Sequence, residues 1–416
     1  MLRRRKWLAG GNGMKLLGLA CALALAAASA AAAAPARWIG SWAASPAPPM
    51  AAPPNNPGRG TPTFNNQTLV QTVRLSAGGK RLRVRLSNEY GPEALAIGAA
   101  RVALVGPDGG VVAGSERSLA FSGRPSATLP AGAPLLSDPV DLPTLPLAKL
   151  QVRLFLPADT HGCTCHMTGV EPVDVLPGDA TAKAPPPPPS VRPTYRAFLT
   201  AVEVETAAPA GPVVVTFGDS ITDGTASTPG KDHRWPDRLA ERLTAAHKGQ
   251  AAAVDDAAIS GNQVLSNGRI AIFGQSALAR FDRDVLSIPG ATHVTVLEGV
   301  NDLGMGARPT ADQLIAGYRQ LIARAHAKGL KIVGATILPY GGAGYFTAEG
   351  EASRQKINAW MRTSHEFDGV IYFDAAMRDP AKPEKMKAEL QSGDWLHPND
   401  AGYRVMGDAV DLSLFR

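Results

Sequence analysis

Residues 213–224, Val-Val-Val-Thr-Phe-Gly-Asp-Ser-Ile-Thr-Asp-Gly, constrain this chain more than any other stretch. The run Val213 to Phe217 is β-branched and aromatic, the composition of a strand buried on both faces. Gly218-Asp219-Ser220 then reads as a tight turn with a hydroxyl at its tip. In an open parallel sheet, ligands gather at the carboxyl ends of the strands. A serine there can act as a nucleophile if a base and oxyanion donors reach it. The plainer alternative is that Ser220 only caps the helix that follows.

The chain has 416 residues, 45% of them hydrophobic and 19% charged. That is a globular composition with length enough for two domains. Its net charge of +6 is concentrated at the start: Arg3, Arg4, Arg5, Lys6 and Lys15 carry five of the six charges, and no acidic residue lies among the first 34. The nearly neutral remainder gives no expectation of nucleic acid or an anionic membrane as partner. Basic residues up to Lys15, the apolar run Leu16 to Ala27 and small residues to Ala34 have the three-part layout of a signal peptide over residues 1–34. The apolar run is short for a membrane span, so export to the periplasm or medium without a stable membrane anchor is expected. Arg4-Arg5-Lys6-Trp7-Leu8 resembles a twin-arginine signal, and Met14 would start a plainer Sec-type one. Cys21 sits in a poor lipoprotein context.

Cys163 and Cys165 lie in His161-Gly-Cys-Thr-Cys-His166. Structural zinc sites use two separated ligand pairs with wider spacing, so a local disulfide or two free thiols is expected rather than a metal. Residues 36–206 read as an all-β unit. Gln71 to Leu75 and Lys80 to Ser87 flank Ala77-Gly78-Gly79 as a hairpin would. Leu82, Val84 and Leu86 alternate with Arg81, Arg83 and Arg85, one face in the core and one in water. Short apolar runs continue at 94–105, 111–121, 150–156 and 195–204, and a β-sandwich of jelly-roll type is expected. Pro185 to Pro189 reads as a stiff loop before the last strand, and the domain boundary falls at 207–212.

Residues 211–416 alternate strand and helix, the pattern of a parallel sheet covered by helices. Strands are expected at 213–217, 252–256, 294–297, 331–337 and 370–373. Helices are expected at 236–247, 311–328, 348–361 and from 401 to about 412, with Asp400 as a cap candidate. Polar turns follow the strands: Ser260-Gly261-Asn262, Glu298-Gly299-Val300-Asn301-Asp302, and near the end Gly393-Asp394-Trp395-Leu396-His397. A serine hydrolase needs a nucleophile, an imidazole base, an anion to hold that base and donors for the oxyanion. Ser220, His397 and Asp394 can meet the first three needs. The amides of Ser220 and Gly261 and the Asn301 side chain can meet the fourth. Asp219, Glu298 and Asp302 read as supporting residues. Asn262, Tyr340 and Trp395 are candidates for the substrate pocket, with core packing the alternative for the aromatics.

Gly218-Asp219-Ser220, Gly261, Gly299-Val300-Asn301-Asp302 and Asp394-x-x-His397 resemble the four signature blocks of the SGNH, or GDSL, hydrolases, in that family's order. Residues 221–224, 233–237, 278–286, 297–302 and 393–403 are similar to a subfamily of secreted arylesterases and carbohydrate acetylesterases associated with xylan degradation. The resemblance covers residues 211–416. It implies a three-layer α/β/α fold with a five-stranded parallel sheet. It also implies Ser220 as nucleophile, His397 as base, Asp394 as its orienter, and Gly261 and Asn301 as oxyanion donors. The expected activity is hydrolysis of short acyl esters, acetyl above all, on a small molecule or polysaccharide, with no metal or cofactor. A lipase, lysophospholipase or thioesterase would use the same residues. A reading of another class is a glycan-binding protein in which the β domain does the work. The Gly-x-Ser-x-Gly elbow of the α/β-hydrolases is absent around Ser220.

Overall fold

The computed structural model describes residues 36–52, 55, 60–183, 192–207 and 210–416. The signal-peptide segment, the proline run at 185–189 and part of the 207–212 boundary lie outside the described residues. The described residues pack as one compact unit.

Period-two alternation dominates the first half. Strand Gly79–Ser87 buries Leu82, Val84 and Leu86 completely. Two of its arginines, Arg81 and Arg83, are taken by carboxylates on the neighbouring strand Leu199–Thr206. Arg81 and Glu205 form a two-pronged pair at 2.6 Å, and Arg83 meets Glu203 at 2.5 Å. The ring of Trp38 lies under Arg83 at 4.3 Å. One five-stranded antiparallel sheet holds these strands with Arg37–Ala43, Pro134–Leu136 and Val140–Thr144. A second joins Val173–Pro177, Gln67–Arg74, Lys149–Leu156, Ala99–Val105 and Arg117–Ser118. Apolar residues of both sheets share one core.

The hairpin expected around Ala77-Gly78-Gly79 does not form. Gln67–Arg74 and Gly79–Ser87 belong to different sheets, and the turn carries the chain from one to the other. Ser41 seizes that turn: its hydroxyl donates to the Ala77 carbonyl at 2.8 Å, and its carbonyl accepts from the Ser76 amide at 2.7 Å. Cys163 and Cys165 form a disulfide within a buried loop.

The second half is a parallel sheet of β1 (Ala210–Gly218), β2 (Ala251–Asp256), β3 (His293–Leu297), β4 (Lys331–Ala335) and β5 (Gly369–Ile371), in the order β2-β1-β3-β4-β5. Val213, Val214, Val215 and Phe217 of β1 have no exposed surface. The strand order reverses beside β1, which is where such a sheet opens a crevice at its carboxyl edge. Helices Trp235–Ala246 and Asp400–Ala409 pack together, as do Ala311–Ala327 and Ala348–Thr363. In helix Ala311–Ala327 the stripe Leu314, Ile315, Tyr318, Leu321, Ile322 and Ala325 is buried, and Thr310 and Gln313 cap its start reciprocally. The last helix is capped by Asn399, which accepts from the Gly402 amide at 3.0 Å, and not by Asp400. Asp400 turns away to Thr228 and His233. Among the described residues no helix is long and apolar enough to cross a membrane.

The two halves meet along β2. Val213, Ala251 and Ala253 belong to the core of the first half, and the Gly40 amide donates to the Pro289 carbonyl at 2.9 Å. A cavity of about 310 Å³ lies at this junction, and no residue expected at the catalytic site lines it. Asp255 of β2 borders it with both carboxyl oxygens buried and without a partner among the described residues. Burial, helped by Glu203 and Asp256, pushes its carboxyl up to about 8. Folding therefore holds a proton that the unfolded chain releases near its ordinary value of about 4. That contribution to stability is complete below about pH 4 and is lost as pH rises toward the folded value, by up to about 1.4 kcal/mol per pH unit. Asp255→Asn is expected to be more stable than the parent at pH 8, with the gap closing toward pH 4. Urea unfolding across that range checks it.

Candidate active site

Strand β1 ends at Gly218, where a Cβ would run into Thr222 and the Leu297 carbonyl. The helical turn Ser220–Asp223 follows, and Asp219 caps it by accepting from the Ile221 amide at 2.9 Å. The cap is thus Asp219, and the Ser220 hydroxyl is left for other work. Asp219 is 1% exposed. Burial pushes its carboxyl up to about 7, against the pull of the Ile221 amide and His397.

The Ser220 hydroxyl lies 2.8 Å from His397 Nε2, and His397 Nδ1 lies 2.6 Å from Asp394 Oδ2. A carboxylate oxygen can only accept, so Nδ1 carries the proton and Nε2 accepts from the serine. The other Asp394 oxygen accepts from the Leu396 and His397 amides, each at 2.9 Å. Burial works to raise the Asp394 carboxyl, but the His397 ring and these amides outweigh it and hold it well below the usual range. The loop owes its shape to two left-handed residues, Gly393 at φ 112° and Trp395 at φ 59°. Gln391 Oε1 accepts the amides of both, at 2.5 and 3.2 Å.

The candidate oxyanion donors besides Ser220 lie on the loops after β2 and β3. Gly261 has φ 77°, and a Cβ there would strike the Phe273 ring. Among the described residues the Ser220 and Gly261 amides donate to no acceptor. Asn301 donates one Nδ2 hydrogen to the Asn262 carbonyl at 2.9 Å, and its Oδ1 accepts from the Tyr345 hydroxyl at 3.2 Å. Its second Nδ2 hydrogen remains available. Asp302 secures the same region by accepting from the Val264 amide at 2.8 Å, and burial pushes its carboxyl up to about 6.

The three pocket candidates sit differently. Asn262 has no exposed surface. Its amide nitrogen donates to the Phe273 and Gln275 carbonyls at 2.8 and 2.7 Å, and its oxygen accepts from Arg280 at 2.8 Å. It pins the loop beneath Gly261 and has no polar atom to spare for substrate. Tyr340 is 1% exposed and packs edge-on against Phe346, below the rim. Trp395 is half-buried beside Gly342, with Lys385 over its ring at 4.9 Å.

Three residues take supporting roles that the sequence did not assign to them. Tyr345 orients Asn301, and burial raises its phenol so that it stays a donor. Gln391 shapes the Asp394 loop. Arg280, wholly buried, donates to the Gly218 and Ala257 carbonyls as well as to Asn262. An arginine amid the apolar positions of residues 278–286 was the available signal, and it was seen only as part of a block.

Residues 216–405 match the model of the GDSL-like lipase/acylhydrolase family. The α/β domain belongs to that family. The protein is a hydrolytic, ester-cleaving enzyme. None of the curated proteins compared with the chain matches it. Solved structures similar to the GDSL-like domain include a lipase/acylhydrolase from Enterococcus faecalis, with 21% identity, 48% of this chain and 92% of that one covered, and a TM-score of 0.38. A carbohydrate acetylesterase from Sinorhizobium meliloti shows 16% identity, coverage of 48% and 95%, and a TM-score of 0.39. An acetyl xylan esterase shows 21% identity, coverage of 47% and 96%, and a TM-score of 0.37.

Gly261→Ala tests the oxyanion loop of the GDSL-like domain. A left-handed alanine costs about 1–2 kcal/mol, and the methyl group would displace the Phe273 ring. Stability should fall by that order in urea unfolding, and ester turnover should fall by about tenfold or more.

Proposed function

We propose that the protein is an exported serine esterase that removes short acyl groups, acetyl above all, from carbohydrate esters through an acyl-enzyme on Ser220. The reading is carried by one observation: the unbroken row from the Ser220 hydroxyl through His397 to Asp394, at 2.8 and 2.6 Å. His397 takes the hydroxyl proton as Oγ attacks the ester carbonyl carbon. The Ser220 and Gly261 amides and Asn301 Nδ2 receive the negative oxygen. The bond to the leaving alcohol then breaks, and His397 returns the proton to it. Water repeats the sequence on the acyl-enzyme, with His397 again as base, and frees the acid. Each proton and electron pair has a place on the chain's own residues, so the steps call for no cofactor.

The acyl size and the carbohydrate rest on the likeness of the sequence blocks to secreted carbohydrate acetylesterases. Export rests on the composition of residues 1–34. A p-nitrophenyl ester series from acetyl to long acyl chains tests the reading. Turnover should be highest at acetyl and should fall by about a thousandfold or more in Ser220→Ala. Rates that climb steeply with chain length would favour a lipase. Full turnover in a folded Ser220→Ala would contradict the serine mechanism.

A further inference from the structure

The first domain touches the nucleophile turn at a point the chemistry above does not use. Asp223 closes the turn that Ser220 opens and is 2% exposed. Its Oδ1 lies 2.9 Å from Nε2 of His166. Its Oδ2 accepts from the Thr168 hydroxyl, from the Ser260 amide at 3.0 Å and from the Ser260 hydroxyl at 2.6 Å. One carboxylate thereby ties together three segments: the nucleophile turn, the loop that carries Gly261, and a loop of the β domain.

The donor chemistry fixes the charge of this knot. His166 Nδ1 lies 2.9 Å from the Ser45 carbonyl, and Nε2 faces the carboxylate. Neither neighbour can donate, so both ring nitrogens carry hydrogen and the ring is an imidazolium. Burial disfavours the carboxylate form of Asp223, but His166, Ser260 and Thr168 outweigh it and hold the group below its ordinary range. Thr225 extends the knot. Its amide donates to the Ser220 carbonyl at 3.0 Å, and its hydroxyl lies 3.0 Å from Ser260 Oγ. Its carbonyl accepts at 2.7 Å from Tyr403, on the helix that follows His397.

We infer that Asp223 is a positioning residue, held by His166 and Thr168 of the β domain, that sets the Gly261 amide against the Ser220 hydroxyl. Ser260 is gripped at both its amide and its hydroxyl, so the amide of the next residue has little freedom. An error of about 1 Å in such a donor costs on the order of a hundredfold in rate. The β domain thus acts on the chemistry through the oxyanion loop without touching substrate. A brace that only glued the halves together would change stability and leave the turnover of each folded molecule alone. The inference rests on Ser220 as nucleophile.

The test uses the full chain with p-nitrophenyl acetate, and an organophosphonate as a probe of Ser220 itself. Thr168→Val removes one donor and leaves the buried ion pair, so it keeps the fold. It should lower kcat by about 3- to 10-fold with KM within about twofold, and slow phosphonylation equally. Thr168→Ser should restore both rates. His166→Ala should lose about a hundredfold in kcat, and His166→Gln, which can still donate to Asp223, should recover part of it. Folded Thr168→Val and His166→Ala proteins with kcat within twofold of the parent would overturn the inference. If His166→Ala does not fold, Thr168→Val decides alone. Ser220→Ala is the separating control: turnover retained there defeats the serine reading, whereas turnover lost there and unchanged in the folded Thr168→Val and His166→Ala proteins defeats only the positioning role of Asp223.

Discussion

The carboxyl edge of the parallel sheet hangs on one buried guanidinium. Arg280 has no exposed surface and lies 4.0 Å above the Phe217 ring. It donates to the Gly218 carbonyl at 3.0 Å and the Ala257 carbonyl at 2.5 Å, and reaches Glu298 at 3.3 Å. These groups stand at the ends of β1, β2 and β3. Where a parallel sheet stops, its last carbonyls lose their ladder partners and face a water-poor interior. A planar group with five donors serves three strand ends and Asn262 at once, one acceptor more than the three hydrogens of a lysine ammonium could meet. Through Asn262 the same guanidinium supports Gly261, and its terminal nitrogen comes within 3.4 Å of Ser45 in the β domain. The Ser220 turn and the Gly261 loop are thus parts of one hydrogen-bonded raft.

Charge is sorted around that raft. Asp219, Glu298 and Asp302 are each buried, and burial pushes each carboxyl upward. Each is met by a donor: Asp219 by the Ile221 amide, Asp302 by the Val264 amide and Glu298 by Arg280, because a buried carboxyl without a partner is costly. Others go the other way, Asp284 beside Arg280 among them. Asp394 is held below its ordinary range at the half-exposed edge, beside His397, and Asp223 is held low in the interior, beside His166. Carboxyls pushed apart in this way divide the work: Asp394 holds the His397 ring, and Asp223 ties the loops together.

The parts legible in the sequence were the local ones. Buried strands carry their own composition, as Val213 to Phe217 shows. Helices carry their own stripe, as residues 311–328 show. Polar turns at strand ends can be read in order because the sheet brings them to one edge. The illegible parts depended on distant partners. Ala77-Gly78-Gly79 looks the same whether its strands pair or change sheets, and Ser41 decides between them. Asn399 and Asp400 are both good caps by type, but Thr228 and His233 draw Asp400 away. In the sequence His166 stands beside two cysteines, and its partner Asp223 lies 57 positions further on. Arg280 and Tyr345 acquire meaning only once the loops are folded.

The central claim is that an acyl group passes through Ser220, and trapping it tests this most directly. Excess enzyme would be mixed with p-nitrophenyl acetate, quenched in acid at successive times, digested and mapped by mass spectrometry. The account predicts an acetyl group on Ser220 that rises with p-nitrophenol release and then decays. Release of p-nitrophenol with no acetylated peptide at any time, or with the acetyl group on another residue, would contradict it.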